Sequence, residues 1–357
     1  MFHVRWRVSP SLSLKGLWKH NIKPCRSRVN HEFKDENGNY KQHSRFNYGV
    51  VTNNIVRLAL ETIKQNGDEE LFFKLFEEKY SLMKLALESK YKNVRKMKAK
   101  DSPILFMYGG ICRLKPEESI EHLLKSDQAS LSYGWFGLDD TVRLLTDDKE
   151  NISTKKGSEL ADRIMKALRE QADRIKNETK LPVSLYSSPL EAGVHTFFVG
   201  DKVLYEDIMP DWLKNRGYYT NSFHFSSEVP IDSFDKIKVE SKFIHYNNGG
   251  NISYVENGGK VYNNKTIIEL IQYAYECKTE YFACNTISDI CYKCGYVGEV
   301  KYNEDEHSYT CPNCGNSEGS KLKVQRRSCG YISNYNITHA KSGRMKEIKN
   351  RAKHFNN

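Results

Sequence analysis

Four of the nine cysteines stand in two matching pairs, Cys291-Tyr292-Lys293-Cys294 and Cys311-Pro312-Asn313-Cys314, with 16 residues between them. Each Cys-x-x-Cys turn can aim two thiolates at one ion, and two such turns at this separation make a zinc-ribbon pattern. Four thiolates close a tetrahedron and leave no position for substrate, so the expected zinc is structural. Such an ion supplies folding energy to a segment too small for a core of its own. Gly295 and Gly315 follow the pairs, where a knuckle turn calls for positive φ. Redox chemistry at a Cys-x-x-Cys is the weaker reading, because two pairs stand at ribbon spacing.

The other cysteines are 25, 112, 277, 284 and 329. Their odd total, without an export signal, points to a reducing compartment and thiol or metal chemistry, not to a disulfide framework. Cys25 taken alone reads as a small core residue. Arg326-Arg327-Ser328-Cys329-Gly330-Tyr331 reads locally as a basic strand ending in a glycine turn. Ser187-Ser188-Pro189-Leu190-Glu191 reads as a strand-to-helix turn. Phosphate recognition would use backbone amides and helix N-termini.

The elements that must position these residues alternate. Residues 54–98 show helical periodicity, with Ile55, Leu58, Ala59 and Ile63 on one face and Leu71, Phe72, Leu75, Phe76 and Tyr80 repeating it. Residues 103–113 form an apolar run broken by Gly109-Gly110, which predicts a buried strand. Pro116 predicts a short helix to about Lys125. Residues 128–137 predict a strand or loop, 157–178 a helix with Leu160, Ile164, Leu168 and Ile175 inward, 181–188 a strand and 265–276 a helix. Residues 25–53 are polar, with a turn at 35–39. The alternation favours an α/β architecture. From 285 to 320 apolar periodicity is lost and a small metal-stapled module begins. Residues 321–336 are basic and then loop-like, and 341–354 predict a short polar helix.

The 357 residues suffice for two domains or one large α/β domain. Hydrophobic residues at 39% and charged residues at 28% exclude disordered and fibrous classes. No run of 18 apolar residues exists, and the first 25 residues lack a signal-peptide core. The net charge of 55 − 45 = +10 suits an anionic partner, or simply solvated lysine faces.

Several ordered blocks resemble the anaerobic (class III) ribonucleoside-triphosphate reductases, a glycyl radical enzyme family. Cys25-Arg26-Ser27 resembles the family's cysteine finger loop, and Arg45-Phe46-Asn47-Tyr48-Gly49-Val50-Val51-Thr52 the segment after it. Tyr108-Gly109-Gly110 and Ala129-Ser130-Leu131-Ser132-Tyr133-Gly134 resemble core strands. The run Gly217-Tyr218-Tyr219-Thr220-Asn221-Ser222-Phe223-His224, then Asn248-Gly249-Gly250, the ribbon and Cys329-Gly330-Tyr331 follow in family order. The resemblance covers nearly all of residues 25–357.

The resemblance implies part of a ten-stranded α/β barrel with a C-terminal zinc ribbon and a glycyl radical loop. Its organisation would be an atypical segment at 1–24, the C-terminal part of the barrel with its finger loop at 25–284, the ribbon at 285–320, and the radical loop and last helix at 321–357. It implies that Gly330 stores the radical and that Cys25 becomes the thiyl that abstracts the ribose 3′ hydrogen. Glycine suits storage because no side chain prevents planarity at its α-carbon. Asn47 would bond the ribose hydroxyls, and Ser187, Ser188 and Glu191 would lie beside the substrate. The cofactors implied are structural zinc and a glycyl radical installed by an S-adenosylmethionine/iron–sulfur activase. The implied setting is cytoplasmic, homodimeric in the full enzyme, with a separate N-terminal half as a further partner. Departures are Ser328 and Ser333, where apolar residues are usual, the altered segment 194–212, and the absence of the family's long N-terminal half. The rival readings are a basic zinc-ribbon protein that binds nucleic acid and an inactive reductase remnant.

Overall fold

The computed structural model describes residues 5–7, 34, 37–39, 43–126, 128–256, 264–279, 281–303, 308–327, 332–334 and 343–354. Cys25 and Gly330 lie outside the described residues, as do nearly all of residues 1–24. The chain divides into two compact units. One comprises Ser9–Ser188 with Lys242–Asn251, and the other Met1–Val8, Pro189–Ser241 and Ile252–Asn357.

The first unit is built on a parallel sheet of β2 (Phe46–Asn54), β3 (Ala129–Phe136) and β4 (Val183–Ser187), adjacent in that order. Parallel strands require crossovers, which the helices supply. Ile55–Lys64, Glu69–Glu78 and Tyr80–Val94 lie between β2 and β3, and Leu138–Leu145 and Lys155–Thr179 between β3 and β4. Local chemistry sets their starts: Asn54 Oδ1 accepts the Arg57 N–H at 3.0 Å, and Asp68 Oδ1 accepts those of Glu70 and Leu71. In Lys155–Thr179 the expected stripe of Leu160, Ile164, Leu168 and Ile175 is buried. The Tyr133 hydroxyl donates to Gln171 on this helix at 3.0 Å, so Leu131, Tyr133 and Trp135 occupy the helix-packed face of β3. The alternate positions Ser130, Ser132 and Gly134 form the opposite, small and polar face.

The second unit contains β1 (Arg5–Arg7), β5 (Ser253–Glu256) and β6 (Tyr281–Asn285) in the order β1-β6-β5. The β5–β6 pair is parallel and joined through the helix Asn264–Glu276. Ile237, Val255, Leu270, Ala274 and Phe282 form its core. The ribbon follows as β7 (Asp289–Cys291), β8 (Val297–Gly298), β9 (Lys301–Asn303), β10 (Ser308–Thr310) and β11 (Leu322–Lys323). It packs Val300, Tyr309, Leu322 and Val324 around Cys291 and Cys311. β12 (Gln325–Arg327) then pairs antiparallel with β13 (Ile332–Asn334), and the helix Gly343–Asn350 follows.

Three expectations need correction. Residues 103–113 are not a strand: Ser102-Pro103 start a one-turn helix, Pro103–Phe106, and the chain turns back at Gly109-Gly110. Ile104 and Tyr108 are exposed while Phe106 and Ile111 are buried, so the apolar run is a turn with one side inward, and Tyr108-Gly109-Gly110 is not a core strand. The helix near Pro116 starts only at Glu121 and ends at Leu124. Finally, residues 46–54, read as part of a polar stretch, form the longest described strand. Its adjacent Val50-Val51 and its asparagines break any alternation, and pairing with β3 makes it a strand.

Candidate functional site

The two cysteine knuckles repeat one geometry. The Gly295 N–H donates to Cys291 O and the Gly315 N–H to Cys311 O, each at 2.9 Å. Cys291 N–H donates to Tyr296 O and Cys311 N–H to Asn316 O, again at 2.9 Å. Both glycines have positive φ, 75° and 68°, as the turn demands. The result brings one sulfur from each of Cys291, Cys294, Cys311 and Cys314 within 4.8 Å of one another. Cys291 Sγ lies 3.8 Å from Cys314 Sγ, and Cys294 Sγ 3.7 Å from Cys311 Sγ. Four thiols this close cannot all ionise alone. Bonds from the Asn313 side chain and the Tyr296 N–H bring Cys294 down to about 6. For Cys314 the Asn316 N–H pulls down, but burial and the neighbouring thiols prevail and push it up to about 12. A cation would remove that conflict by neutralising four thiolates together. These four cysteines could therefore hold one metal ion.

The knuckle is tied to β12 by a buried carboxylate. Asp289, two residues before Cys291, pairs with Arg326 and accepts the Val300 N–H at 3.0 Å and the Gln325 N–H at 2.9 Å. Arg351 clamps the same strand from the C-terminal side. It donates to the Arg327 carbonyl at 2.9 Å, to Glu256 at 3.1 Å and to both oxygens of Glu347. Arg327 pairs with Ile332, so residues 328–331, which include Gly330, join the two strands of this hairpin. None of Asp289, Arg351 or Glu347 was singled out from sequence. Each is a charged residue among many, and only burial distinguishes it.

Asn47 sits on the polar face of the parallel sheet. Its amide donates to Ser130 Oγ at 3.1 Å and Ser132 Oγ at 2.7 Å, and its Oδ1 accepts the Gly49 N–H at 2.9 Å across a bulge in β2. Ser188 shares this face, its Oγ 3.4 Å from Thr52 Oγ1. Gly134 lies between them: a Cβ there would come within 2.2 Å of Ser188 Oγ and 2.7 Å of Thr52 Oγ1. Ser187 does not join them, because it pairs with Trp135 on the helix-packed face. Glu191 belongs to the other unit and has a positive φ of 56°. Its neighbour Leu190 is fixed there by an N–H bond to Asn221 Oδ1 at 2.9 Å.

Asn221 belongs to the block 217–224, which forms buried scaffold. Tyr219 donates to Asp201 at 2.9 Å, and His224 Nδ1 lies 3.3 Å from Glu240. Glu240 is fully buried and also pairs with Lys236 and Ser253. In the ribbon, Tyr302 and Tyr309 pack at 5.0 Å with Lys349 Nζ 3.9 Å over the Tyr302 ring. These aromatics are engaged within their own unit, which does not favour a nucleic-acid stacking surface.

A family model described as anaerobic ribonucleoside-triphosphate reductase matches residues 13–354. The anaerobic ribonucleoside-triphosphate reductase of Salmonella typhimurium is 33% identical over 334 residues, covering 93% of this chain and 46% of that protein. The enzyme of the same name from Enterobacteria phage T4 is 33% identical over 332 residues, covering 92% and 52%. The chain thus spans about half the length of the curated relatives it matches. Among solved structures, the anaerobic ribonucleotide reductase from Thermotoga maritima with glycerol in the active site shares the fold, with a TM-score of 0.62 at 19% identity over 92% of this chain and 48% of that one. Among the described residues no helix is long and apolar enough to cross a membrane.

Proposed function

The chain belongs to the anaerobic ribonucleoside-triphosphate reductase family, and on that premise we propose that it carries the C-terminal catalytic part of a cytoplasmic enzyme that makes 2′-deoxyribonucleoside triphosphates. Gly330 stores a radical at its α-carbon. Cys25 relays it as a thiyl and takes the ribose 3′ hydrogen, and the 2′ hydroxyl leaves as water. Two electrons and two protons come from an external reductant.

The observation that carries this reading is the β12–β13 hairpin. It joins its strands through residues 328–331 and is footed on the four-cysteine cluster by Asp289 and Arg326. The Asn47 ladder supports it as well. Both amide hydrogens of Asn47 point at serine oxygens, so bonding a ribose hydroxyl exchanges one serine partner for substrate. Ser188 shares that face and Ser187 lies behind it, and Glu191 would join them from the turn that follows β4.

Zinc fits the cysteine cluster. Tetrahedral bonds of about 2.3 Å place sulfurs about 3.8 Å apart, and Cys291–Cys314 and Cys294–Cys311 stand at 3.8 and 3.7 Å, with all four sulfurs within 4.8 Å. A closed ion of this kind stiffens the base of the hairpin and takes no part in the reaction. The parent architecture is a ten-stranded barrel of two half-barrels, to which 25–284 contributes one part, with the ribbon at 285–320 and the radical loop and last helix at 321–357. The partners are a second copy in the full enzyme and an activase that uses S-adenosylmethionine and an iron–sulfur cluster to install the radical, and the barrel is completed by the N-terminal half corresponding to the rest of the relatives' length.

The test is anaerobic activation of the chain with and without that N-terminal half, reading the electron paramagnetic resonance doublet and deoxynucleotide formed. The chain alone is expected to be inactive, and the two parts together to give both signals. Gly330→Ala removes the doublet, whereas Cys25→Ala keeps it and stops turnover. Normal turnover by the Cys25→Ala enzyme, or no doublet in any combination, overturns the reading.

A further inference from the structure

Arg326 and Arg327 are neighbours on β12 and both are buried, yet among the described residues only Arg326 has an anionic partner. Arg326 is paired with Asp289, Arg351 with Glu256 and Glu347, and Lys236 with Glu240. Arg327 is 8% exposed, has no carboxylate within ion-pair distance among the described residues, and its Nε has no hydrogen-bond partner. Its guanidinium carbon lies 5.0 Å over the Tyr254 ring. A buried charge without a partner is strongly unfavourable, and arginine cannot escape by losing its proton. Stacking on an aromatic face fixes the guanidinium plane and leaves its edge for oxygen acceptors in that plane.

Arg327 borders a cavity of about 30 Å³ that is also lined by Arg326, Arg351, Lys353, Asn285 and Glu256. Four cations there face one carboxylate, and Glu256 already accepts from Arg351 and Asn285. Asn285 donates its Nδ2 to Glu256 Oε1 at 2.7 Å, while its Oδ1 has no partner. The cavity thus offers an unpaired cationic donor and an unpaired acceptor. At roughly 10–15 Å³ for each water-sized sphere, it holds only a few heavy atoms.

We propose that Arg327 and Asn285 form a subsite for a small oxyanion that keeps one hydroxyl, such as bicarbonate or hydrogen phosphate. The charged oxygens face Arg327 and the hydroxyl donates to Asn285 Oδ1. The subsite depends on this unit alone and is read by binding, so its test is independent of turnover.

The test is thermal unfolding of the full chain at constant ionic strength set with chloride, with sodium bicarbonate titrated in one arm and inorganic phosphate in the other. A saturating rise in the midpoint is expected in at least one arm, roughly 3–4 °C at a hundredfold excess over Kd. The arm that responds identifies the source. Arg327→Met removes the response and, in chloride alone, unfolds no lower than the unmodified chain, because the lone charge is gone. Arg327→Lys keeps the charge without the fork and weakens the response, which serves if the methionine variant does not fold. No saturable shift in either arm, or an undiminished shift in the variants, overturns the proposal.

Discussion

The Asp289 carboxylate and the Arg326 guanidinium form an ion pair in which Asp289 is fully buried and Arg326 nearly so. The pair joins the strand that ends in Cys291 to the strand that leads to residues 328–331. Asp289 also accepts two backbone N–H groups, so its charge is compensated on every side.

Asp289→Asn is therefore expected to be severe. It leaves Arg326 charged and buried without a counter-ion, which costs about 3–5 kcal/mol. Arg326→Met in the same chain should recover much of that loss. Denaturant unfolding of the two single variants and the double variant measures the coupling. A loss below about 1 kcal/mol in Asp289→Asn would mean that the pair does not hold the hairpin.

Purified chain should contain about one zinc ion. Cys311→Ser should lose it and destabilise the ribbon, whose small core packs directly on Cys291 and Cys311. Metal analysis is the check. Stoichiometric zinc in a Cys291→Ser/Cys311→Ser chain would show that the ion sits elsewhere.

His354 makes stability fall on mild acidification. Burial, and next the charge of Lys236, lower its pKa to about 4. Its Nδ1 accepts the Glu256 N–H at 2.8 Å, a bond that protonation there removes. The unfolded chain takes up this proton near pH 6.5 and the folded chain only near 4. The stabilisation is thus complete above pH 6.5 and lost as pH drops to 4, a change of about 3 kcal/mol. His354→Asn keeps an acceptor near the Nδ1 position and should flatten this part of the profile. Urea midpoints between pH 4 and 7 test it; equal slopes for both chains would exclude His354 as the cause.

Gly134→Ala should destabilise the sheet by about 1–3 kcal/mol, because the new methyl meets Ser188 Oγ and Thr52 Oγ1. Ser188→Gly in the same chain should relieve much of the cost. A calorimetric midpoint for Gly134→Ala equal to that of the unmodified chain would show that the two side chains swing aside freely.

Features encoded in short-range spacing are legible in the chain before it folds. The cysteine pairs and their glycines specify a four-sulfur cluster, since each knuckle is closed by bonds between residues four or five apart. The stripe from Leu160 to Ile175 specifies the long helix, because its period is local. The ordered blocks identified the family over nearly the whole chain. Features that depend on partners distant in sequence come only from the folded chain. Phe46–Asn54 is a strand because β3 pairs with it, not because its side chains alternate. Residues 103–113 carry a strand-like composition but fold as a turn, since Pro103 opens a helical turn and no described strand pairs with them. Ser187 and Ser188, adjacent in sequence, are separated by the sheet that runs between their side chains. Arg326 and Arg327 look equivalent in sequence; the fold brings Asp289 to the first and an aromatic ring to the second. Burial sets the energy of a charge through what surrounds it, and those surroundings come from segments that only the tertiary fold assembles.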